Sequence, residues 1–299
     1  MNTEYHIPVL LSEAIEGLYI NPEGVYIDVT FGGGGHSRKI LEKLTTGKLF
    51  AFDQDVDAAH NVIDDERLIF VQHNFSYLKN FLDYYGVSEV DGILADLGVS
   101  SHDFDEASRG FSFRFDADLD MRMNQSSELT AAKIINEYPG QQLTQLFVKY
   151  GELSNARKVV AAILAEREIN PIKTTERLRS ILEPLVPAKV SAKHMAKVFQ
   201  ALRIEVNSEI EVLKQLLNDA YSVLKPGGRL VVISYHSLED RLVKNFIQKG
   251  NLEGKVEQDF YGNVKLIFKA TGKVTVPNAA EIEKNPRARS AKMRIAEKI

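Results

Sequence analysis

A run of glycines follows a short apolar segment in the first part of the chain. Residues Gly24–Val29 predict a buried strand, and Gly32-Gly33-Gly34-Gly35 follows it before a segment with helical periodicity. Glycines between a strand and a helix allow backbone N–H groups to approach a ligand closely. We therefore expect a nucleotide-like ligand at the loop from Gly32 to His36.

The residues around these glycines narrow the kind of ligand. A dinucleotide fingerprint, G-x-G-x-x-G, would need a third glycine where the chain has Ser37, which disfavours NAD. A P-loop would need Lys followed by Ser or Thr, and His36-Ser37 does not supply that pair. The pattern Asp28-x-Thr30-x-Gly32-x-Gly34 instead resembles the acidic-then-glycine loop of class I methyltransferases, which bind S-adenosylmethionine. Thr30 stands where many members of that class have a first glycine.

Two residues after the next strands are expected to contact the same cofactor. Asp53 ends the second predicted strand, and an acid there can accept hydrogen bonds from both ribose hydroxyls. Phe75 follows the third predicted strand and is expected to pack on the adenine. The alternatives are a helix-capping or surface acid at Asp53 and a core position at Phe75.

The reaction itself is expected at Asp96-Leu97-Gly98-Val99-Ser100-Ser101, which ends the fourth predicted strand. Ligands of open α/β sheets lie outside the carboxyl ends of the strands. An exocyclic amine is a poor nucleophile because its lone pair is delocalised into the ring, and acceptors on its N–H groups favour a more tetrahedral nitrogen. Asp96 is expected either to be such an acceptor or to hold the cofactor. Ser100 and Ser101 are weaker candidates, and turn capping is their alternative role.

The elements that position these residues alternate between strands and helices. Strands are predicted at Gly24–Val29, Lys48–Asp53, Leu68–Val71, Val90–Asp96, Arg229–Ser234 and Val264–Phe268. Helices are predicted at Ser37–Thr46, Asp55–Ile63 and Asn207–Leu224, and Ser237 is expected to cap a further one. Alternation of this kind predicts right-handed βαβ units and a parallel sheet.

Loops and helices interrupt this alternation between the fourth and fifth strands. The predicted fold class is therefore α/β: a class I (Rossmann-like) methyltransferase fold with an inserted helical domain. We expect residues 1–107 to form the first part of the methyltransferase domain, residues 108–206 the inserted domain, and residues 207–299 the second part.

Composition excludes several other classes of protein. The 299 residues include no Cys, which excludes disulfides, thiolate metal sites and the covalent Cys route of cytosine-C5 methylation, while nitrogen or oxygen methylation stays open. The seven His residues lack close ligand spacing, so no metal site is expected. No apolar run reaches the length of a membrane span, and the first residues lack the basic region of a signal peptide. A cytoplasmic enzyme without membrane association is expected.

Charge is distributed unevenly along the chain. Residues 1–150 hold 11 Lys and Arg against 24 Asp and Glu, whereas residues 151–299 hold 26 against 17. A basic C-terminal half can meet a polyanion even though the net charge of the whole chain is −4. Ordinary solvated surface is the alternative explanation.

Several ordered segments together resemble one family, the RsmH/MraW-type methyltransferases that act on N4 of a cytosine in bacterial small-subunit (16S) rRNA. The segments span nearly the whole chain: His6-x-Pro8-Val9-Leu10-Leu11, Asp28-x-Thr30-Phe31-Gly32-x-Gly34-Gly35-His36-Ser37, Phe52-Asp53-x-Asp55, Asp96-Leu97-Gly98-Val99-Ser100-Ser101, Arg109-Gly110-Phe111-Ser112-Phe113, Leu119-Asp120-Met121-Arg122-Met123, Phe199-Gln200-x-x-Arg203-Ile204-x-Val206-Asn207-Ser208-Glu209, Ser234-x-His236-Ser237-Leu238-Glu239-Asp240-Arg241 and Asn285-Pro286-Arg287-Ala288-Arg289-Ser290. Together they are far more specific than the glycine loop.

The resemblance implies a site for S-adenosylmethionine and a catalytic centre. The implied cofactor residues are Gly34, Gly35, His36, Asp53, Phe75, Asp96 and Asp103. Many relatives have Gln where this chain has Asp103, and an acid cannot donate the hydrogen bond that the amide gives. Asp96 and His236 are the implied catalytic residues, with His236 orienting the base or relaying the proton of the amine. A structural hydrogen bond is the alternative role of His236.

The resemblance also implies an RNA partner, namely 16S rRNA within a small ribosomal subunit or its precursor. The inserted domain would help to hold it, with phosphates contacted by Lys189, Lys193, His194, Lys197 and Arg203, and the C-terminal end would contribute Arg287, Arg289, Lys292 and Arg294. Two other functions stay open. The chain could methylate another RNA, a protein or a small molecule, or it could be a nonenzymatic RNA-binding module that keeps a cofactor pocket.

Overall fold

The structure, a computed structural model, describes residues 8–99, 107–256, 258 and 266–299. The chain divides into two compact units. Met1–Gly98 and Ile210–Ile299 form the first unit, and Val99–Glu209 forms the second.

The first unit contains a mixed sheet, to which the described residues contribute seven strands. The strands are β1 (Val25–Asp28), β2 (Lys48–Asp53), β3 (Leu68–Gln72), β4 (Val90–Asp96), β5 (Leu224–Ser234), β6 (Phe268–Ala270) and β7 (Lys292–Lys298). Their order across the sheet is β3-β2-β1-β4-β5-β7-β6, with β1 to β5 parallel and β7 antiparallel to both β5 and β6. The order reverses between β1 and β4, which makes the carboxyl ends of these two strands the switch point where such sheets bind ligands.

Helices connect the strands and form the second unit. In chain order they are α1 (Leu11–Leu18), α2 (Gly35–Leu41), α3 (Leu78–Tyr84), α4 (Ala131–Glu137), α5 (Gly140–Lys149), α6 (Ala156–Arg167), α7 (Thr175–Leu182), α8 (Ala188–Val206), α9 (Glu209–Val223), α10 (Ser237–Lys249) and α11 (Ala279–Lys284). Short 3₁₀ helices occupy Val56–Asn61, Phe75–Tyr77, Ala107–Arg109, Glu183–Leu185 and Pro286–Ser290.

Apolar layers cover both faces of the sheet. Successive residues of a strand point to opposite faces, so Tyr26 and Ile27 of β1 belong to different core clusters. One cluster packs the sheet against α3, α9 and α10, and the other packs it against α1 and α2. Because both faces are buried, β5 has a nearly continuous apolar run from Leu230 to Ile233.

The register between β4 and β5 positions the residues that follow each strand. Asp96 pairs with Ile233, and the backbone N–H of Leu97 donates to the carbonyl of Ile233. Residues directly after Ser234 therefore emerge beside Asp96.

The second unit is built from α4 to α8 around its own core. Leu143 and Phe147 of α5 and Val159 and Ile163 of α6 are fully buried, as expected from their spacing. Thr174 caps α7 with its side-chain oxygen, which accepts from the backbone N–H of Arg177.

The predicted fold class is confirmed, while the structure differs from the predicted strands and helices at three places. The helix predicted over Asp55–Ile63 is a 3₁₀ helix at Val56–Asn61. The last strand predicted at Val264–Phe268 begins at Phe268 in the described residues, while positions 264 and 265 lie outside them. The third difference is β7, a strand that the sequence analysis did not predict. Lys292, Arg294 and Lys298 give it the composition of an exposed segment, although Met293 and Ala296 are buried.

Within the described ranges, no helix has the length and apolarity that a membrane span requires.

Candidate active site

Asp28 at the end of β1 organises the loop that follows. Its carboxylate is buried and accepts from the hydroxyl of Ser37 at 2.7 Å and from the backbone N–H of Thr30 at 3.1 Å. Burial raises the pKa of Asp28, and these two hydrogen bonds oppose that rise. Asp28 therefore holds the glycine loop against the start of α2.

The glycine loop needs residues without a Cβ atom at two positions. Gly34 has φ +72°, and a Cβ atom added to it would lie 2.9 Å from the ring of Phe31. A Cβ atom added to Gly35 would lie 2.2 Å from Cγ of Pro8. The segment around Pro8 thus packs directly on the loop, and a side chain at Gly35 would displace it.

Asp53 joins the end of β2 to the glycine loop. Its Oδ2 accepts from the backbone N–H of Gly32 at 2.8 Å, and its Oδ1 accepts from that of Asp55 at 2.9 Å. Burial raises the pKa of Asp53 to about 6, although both hydrogen bonds lower it. Each carboxylate oxygen can accept two hydrogen bonds, so each keeps acceptor capacity for a ligand.

Asp96 lies where β4 ends, at the switch point of the sheet. Its backbone N–H donates to Oγ1 of Thr30 at 2.8 Å, which ties β4 to the loop after β1. Its Oδ1 accepts from the hydroxyl of Tyr235 at 2.7 Å, and its side chain is only 11% exposed. Burial raises the pKa of Asp96 to about 7, the Tyr235 hydrogen bond lowers it, and the charges of Asp28 and Glu239 add to the rise.

His36 links the loop to the N-terminal segment and faces Asp96. Its Nε2 lies 3.1 Å from the carbonyl oxygen of Val9. A carbonyl oxygen only accepts, so Nε2 carries the proton and Nδ1 is an acceptor. Nδ1 lies 3.8 Å from Oδ2 of Asp96. Burial lowers the pKa of His36 to about 4, which keeps the ring neutral at neutral pH.

Phe75 begins the 3₁₀ helix that follows β3. It is half-buried and packs against the apolar cluster on the α3, α9 and α10 face of the sheet. Asn74 and Gln54, which follow β3 and β2, are joined by a side-chain hydrogen bond of 2.8 Å. This bond holds the segment that begins with Phe75 close to the end of β2.

His236 stands directly before α10 and caps it, which corrects the prediction that Ser237 is the cap. Its Nδ1 accepts from the backbone N–H of Glu239 at 3.4 Å, and Oε2 of Glu239 accepts from the backbone N–H of His236 at 3.3 Å. Nε2 of His236 is buried and has no hydrogen-bond partner among the described residues, although it lies 3.2 Å from Oε1 of Glu239. A capping role is therefore visible, and a catalytic role stays a prediction.

The predicted site residues gather at one edge of the sheet. Gly34, Gly35, His36, Asp53 and Asp96 surround the carboxyl ends of β1, β2 and β4. Phe75 and His236 follow the flanking strands at the same edge, whereas Ser100, Ser101 and Asp103 lie outside the described residues.

Tyr235, whose hydroxyl donates to Asp96, was not among the residues predicted from the sequence. Its signal was its position directly after the strand expected to pair with the Asp96 strand. Thr30, noted only as a replacement for glycine, has a positive role because its hydroxyl accepts from the backbone of Asp96.

The basic residues expected to contact RNA differ in solvent exposure and in their hydrogen bonds to other residues of the chain. Arg203 forms two hydrogen bonds with the carboxylate of Glu209 at 2.7 and 2.8 Å, and His194 is buried with Nε2 beside Oδ1 of Asn155. Lys189 and Lys193 of α8 are exposed. Exposed lysines can meet phosphates, while Arg203 and His194 stabilise the second unit.

Basic residues near the C-terminal end of the chain also stabilise the fold. Lys292 and Arg294 belong to β7, an interior strand of the sheet. Nε of Arg294 donates to Oδ1 of Asp240 at 2.7 Å, and both side chains are about 15% exposed or less. This pair joins β7 to α10, so Arg294 has a structural role, and its contact with RNA stays a prediction.

A stability measurement can separate the two roles in this segment. We expect Arg294→Gln to lower the free energy of unfolding by about 1–2 kcal/mol, because Asp240 loses a charged hydrogen-bond donor. Arg289→Gln, at an exposed position of the Pro286–Ser290 turn, should change it little. Urea unfolding of both variants checks this, and equal stabilities would contradict it.

The fold and the site together define a class of protein. A doubly wound sheet with an antiparallel strand between its last two strands, and an acid-and-glycine loop after β1, is the class I methyltransferase fold.

Comparison with known proteins identifies the family. The profile of the MraW methylase family matches residues 3–299. A protein of Flavobacterium johnsoniae is 56% identical over 297 residues, covering 99% of this chain and 98% of that protein. One of Parabacteroides distasonis is 57% identical over 298 residues, with 99% and 98% covered. Both are named ribosomal RNA small subunit methyltransferase H. The chain belongs to the MraW methylase family.

Proposed function

We propose that this protein transfers a methyl group from S-adenosylmethionine to the exocyclic N4 of a cytosine in small-subunit (16S) rRNA. The observation that carries the proposal is the position of Asp96: its carboxylate is only 11% exposed at the switch point, and Thr30 ties its backbone to the glycine loop. The names of the two relatives support small-subunit rRNA as the substrate.

The residues at the ends of β1 and β2 fit S-adenosylmethionine. A Cβ atom added to Gly32 would meet none of the described residues within 4 Å, so the space beside this glycine can admit a ligand. The neighbouring Asp53 carboxylate keeps acceptor capacity on both oxygens, which suits two ribose hydroxyls. We propose that Asp53 accepts hydrogen bonds from the ribose and that Phe75 packs on the adenine. Gly34 and Gly35 would contact the cofactor through their backbone.

The pH dependence of cofactor binding tests the role of Asp53. Its pKa is raised to about 6, so the carboxylate is ionised at pH 7 and becomes protonated as the pH falls through 6. Protonation converts one acceptor into a donor, and we expect the affinity for S-adenosylmethionine to fall by about 10-fold between pH 7 and pH 5. Calorimetric titration across this range checks it.

The Asp53→Asn variant is the control for this experiment, because it lacks the titrating carboxyl. Its affinity should depend less on pH than that of the wild-type protein. Residual dependence reports Asp96, whose pKa is also displaced, whereas His36 is already neutral throughout this range. An identical pH dependence in both proteins would rule out Asp53 as the titrating group.

In the proposed mechanism the residues of this chain activate an amine. When bound, S-adenosylmethionine would supply a methyl group attached to a positively charged sulfur, and the sulfur would keep the electron pair of the broken S–C bond. Oδ2 of Asp96 accepts a hydrogen bond from the amine of the base, which makes its nitrogen lone pair more available. The same carboxylate can hold the proton that the nitrogen loses. His236 is the candidate to orient the base, because its buried Nε2 forms no hydrogen bond with the part of the chain that the structure describes.

The composition of the chain agrees with nitrogen as the methyl acceptor. Methylation of cytosine C5 uses a covalent Cys nucleophile, and the chain has no Cys. Methylation of an exocyclic amine needs acceptors rather than a nucleophile, and Asp96 supplies one.

We further propose the division into residues 1–107, 108–206 and 207–299 as functional domains, with the middle segment holding RNA. Lys189 and Lys193 are exposed on one helix of that segment and are placed four residues apart, which puts them on one face. A cytoplasmic location and an assembled particle or its precursor as substrate complete the proposal.

Loss of the gene tests the proposed function directly. Small-subunit rRNA from cells lacking it should contain no N4-methylated cytidine when digested and analysed by mass spectrometry. The modification should return with the wild-type gene. An unchanged amount of N4-methylated cytidine in the mutant rRNA would contradict the proposal.

Purified protein defines the form of the substrate. Transfer of a radiolabelled methyl group is measured onto small-subunit particles from the mutant cells and onto naked rRNA from the same cells. Label on particles alone indicates an assembled substrate, and label on naked rRNA alone indicates free RNA. Absence of label on both would favour a nonenzymatic RNA-binding role.

A further inference from the structure

Tyr235 is a polar residue of the site to which the proposed function gives no role. It directly follows β5, and its hydroxyl donates to Oδ1 of Asp96 at 2.7 Å. This bond joins two neighbouring parallel strands at their carboxyl ends, where the reaction is proposed to occur.

We propose that Tyr235 is the positioning residue for Asp96: its hydroxyl occupies Oδ1 and leaves Oδ2 to accept from the amine that is methylated. This inference rests on the proposed function. The inference extends the proposed function because it assigns a separate role to each oxygen of the Asp96 carboxylate.

The surroundings of Asp96 show why the two oxygens differ. The backbone N–H of Asp96 is fixed by Thr30, so the carboxylate turns mainly about its own side-chain bonds. Oδ1 faces the Tyr235 hydroxyl, whereas Oδ2 faces Nδ1 of His36 at 3.8 Å. Because Nε2 of His36 carries its proton, Nδ1 has no hydrogen to give, and Oδ2 has acceptor capacity left for a ligand.

Tyr235 is itself held in place from two sides. Its backbone N–H donates to Oε2 of Glu239 at 2.9 Å. Its ring lies against the backbone of Gly98, where an added Cβ atom would be 3.3 Å from ring atom Cδ2. Gly98 has φ +107°, a conformation that L side chains rarely adopt, so the chain turns tightly past the ring. The hydroxyl is thereby aimed at Asp96 without depending on a mobile side chain.

The charges around the site make the hydrogen bond from Tyr235 important for the pKa of Asp96. In the described ranges, the titratable groups that face Asp96 and Tyr235 are Asp28, His36, Glu239 and Glu281. The three carboxylates disfavour ionisation of Asp96 or Tyr235, and His36 is neutral. The Tyr235 hydroxyl is the group that lowers the pKa of Asp96 in these surroundings, and Asp96 in turn helps to raise that of Tyr235 far above its ordinary value. Without the hydroxyl, a larger share of Asp96 would be protonated at neutral pH.

Replacement of Tyr235 by Phe tests the inference through the pH profile of methyl transfer. The acidic limb of the kcat profile should move to higher pH by about one unit, because Asp96 loses a hydrogen bond that favours its charged form. At pH 7 kcat should fall by about 5-fold and recover towards the wild-type value near pH 9, while KM for the RNA changes little. A fluorinated tyrosine at position 235 is a stronger donor and should move the limb to lower pH.

Tyr84→Phe is the matched control, since Tyr84 is 81% exposed and lies on α3. It should leave both the pH profile and the melting temperature unchanged. A loss of activity in Tyr235→Phe that is equal at every pH would indicate a merely structural role and overturn the inference. So would an unshifted profile in the fluorinated protein.

A second measurement separates this inference from the proposed function. The titration of Asp96 is followed by carbon-13 NMR of the labelled carboxyl, assigned with the Asp96→Asn variant. Tyr235→Phe should raise the pKa of Asp96, and an unchanged pKa would overturn the inference. If wild-type protein transfers no methyl group to rRNA, the proposed function fails, while this titration still decides whether Tyr235 controls Asp96.

Discussion

Replacing Asp96 by Asn is expected to lower kcat for methyl transfer by about 100-fold or more. An amide keeps the size of the side chain, and its oxygen can still accept from Tyr235. It then presents an NH₂ group where Oδ2 stood, and a donor cannot accept from the amine of the base or take up its proton. The expected defect therefore lies in chemistry rather than in folding.

Two measurements separate the possible roles of Asp96. If it is the acceptor for the amine, kcat falls while the dissociation constant for S-adenosylmethionine changes by less than about 10-fold. If it holds the cofactor instead, the dissociation constant carries most of the loss. Single-turnover transfer onto small-subunit particles gives the first quantity and calorimetry the second.

The exposed Asp83→Asn is the matched control for this change, because Asp83 lies on α3 and its side chain faces solvent. It should leave both quantities unchanged. Full activity in Asp96→Asn would contradict the proposed mechanism, since the buried carboxylate would then have no part in the reaction.

The main sheet could be predicted from the sequence because its strands carry strong local signals. The strands β1, β2 and β4 carry apolar segments that end in an acid, and an acid at the end of a buried strand marks the carboxyl edge. That is why Asp53 and Asp96 could be assigned to the site before any geometry was known. Strand β7 was not predicted because its long charged side chains, including that of Arg294, are typical of an exposed segment. Its backbone is nevertheless paired with a strand on each side.

The contacts within the site were less predictable, because they depend on distant parts of the chain. Tyr235 lies 139 residues from Asp96 in the sequence, and only the pairing of β4 with β5 brings the two side chains together. His36 follows the glycine run and resembles a ligand contact, yet burial and the carbonyl of Val9 give its ring a structural duty. Local spacing reveals which residues stand at a sheet edge, but not which of their atoms remain free.

Replacing Asp53 by Ala is expected to raise the dissociation constant for S-adenosylmethionine by about 5- to 150-fold, which corresponds to a loss of about 1–3 kcal/mol. The variant would lose the acceptors proposed for the ribose hydroxyls. It would also lose the acceptors for the backbone N–H groups of Gly32 and Asp55, so the glycine loop would no longer be tied to β2. Both losses act on the same ligand.

Asp53→Asn distinguishes these two contributions. The amide keeps one acceptor oxygen, so at most one of the two backbone hydrogen bonds is preserved and the other N–H faces the amide donor. If ordering of the loop dominates, Asn should restore part of the affinity and of the melting temperature that Ala removes. If direct contact with the ribose dominates, the melting temperature should recover without the affinity. Asp64→Ala, at an exposed position, is the control. Unchanged binding in Asp53→Ala would contradict both contributions, because neither the ribose contact nor the ordering of the loop by Asp53 would then support the cofactor.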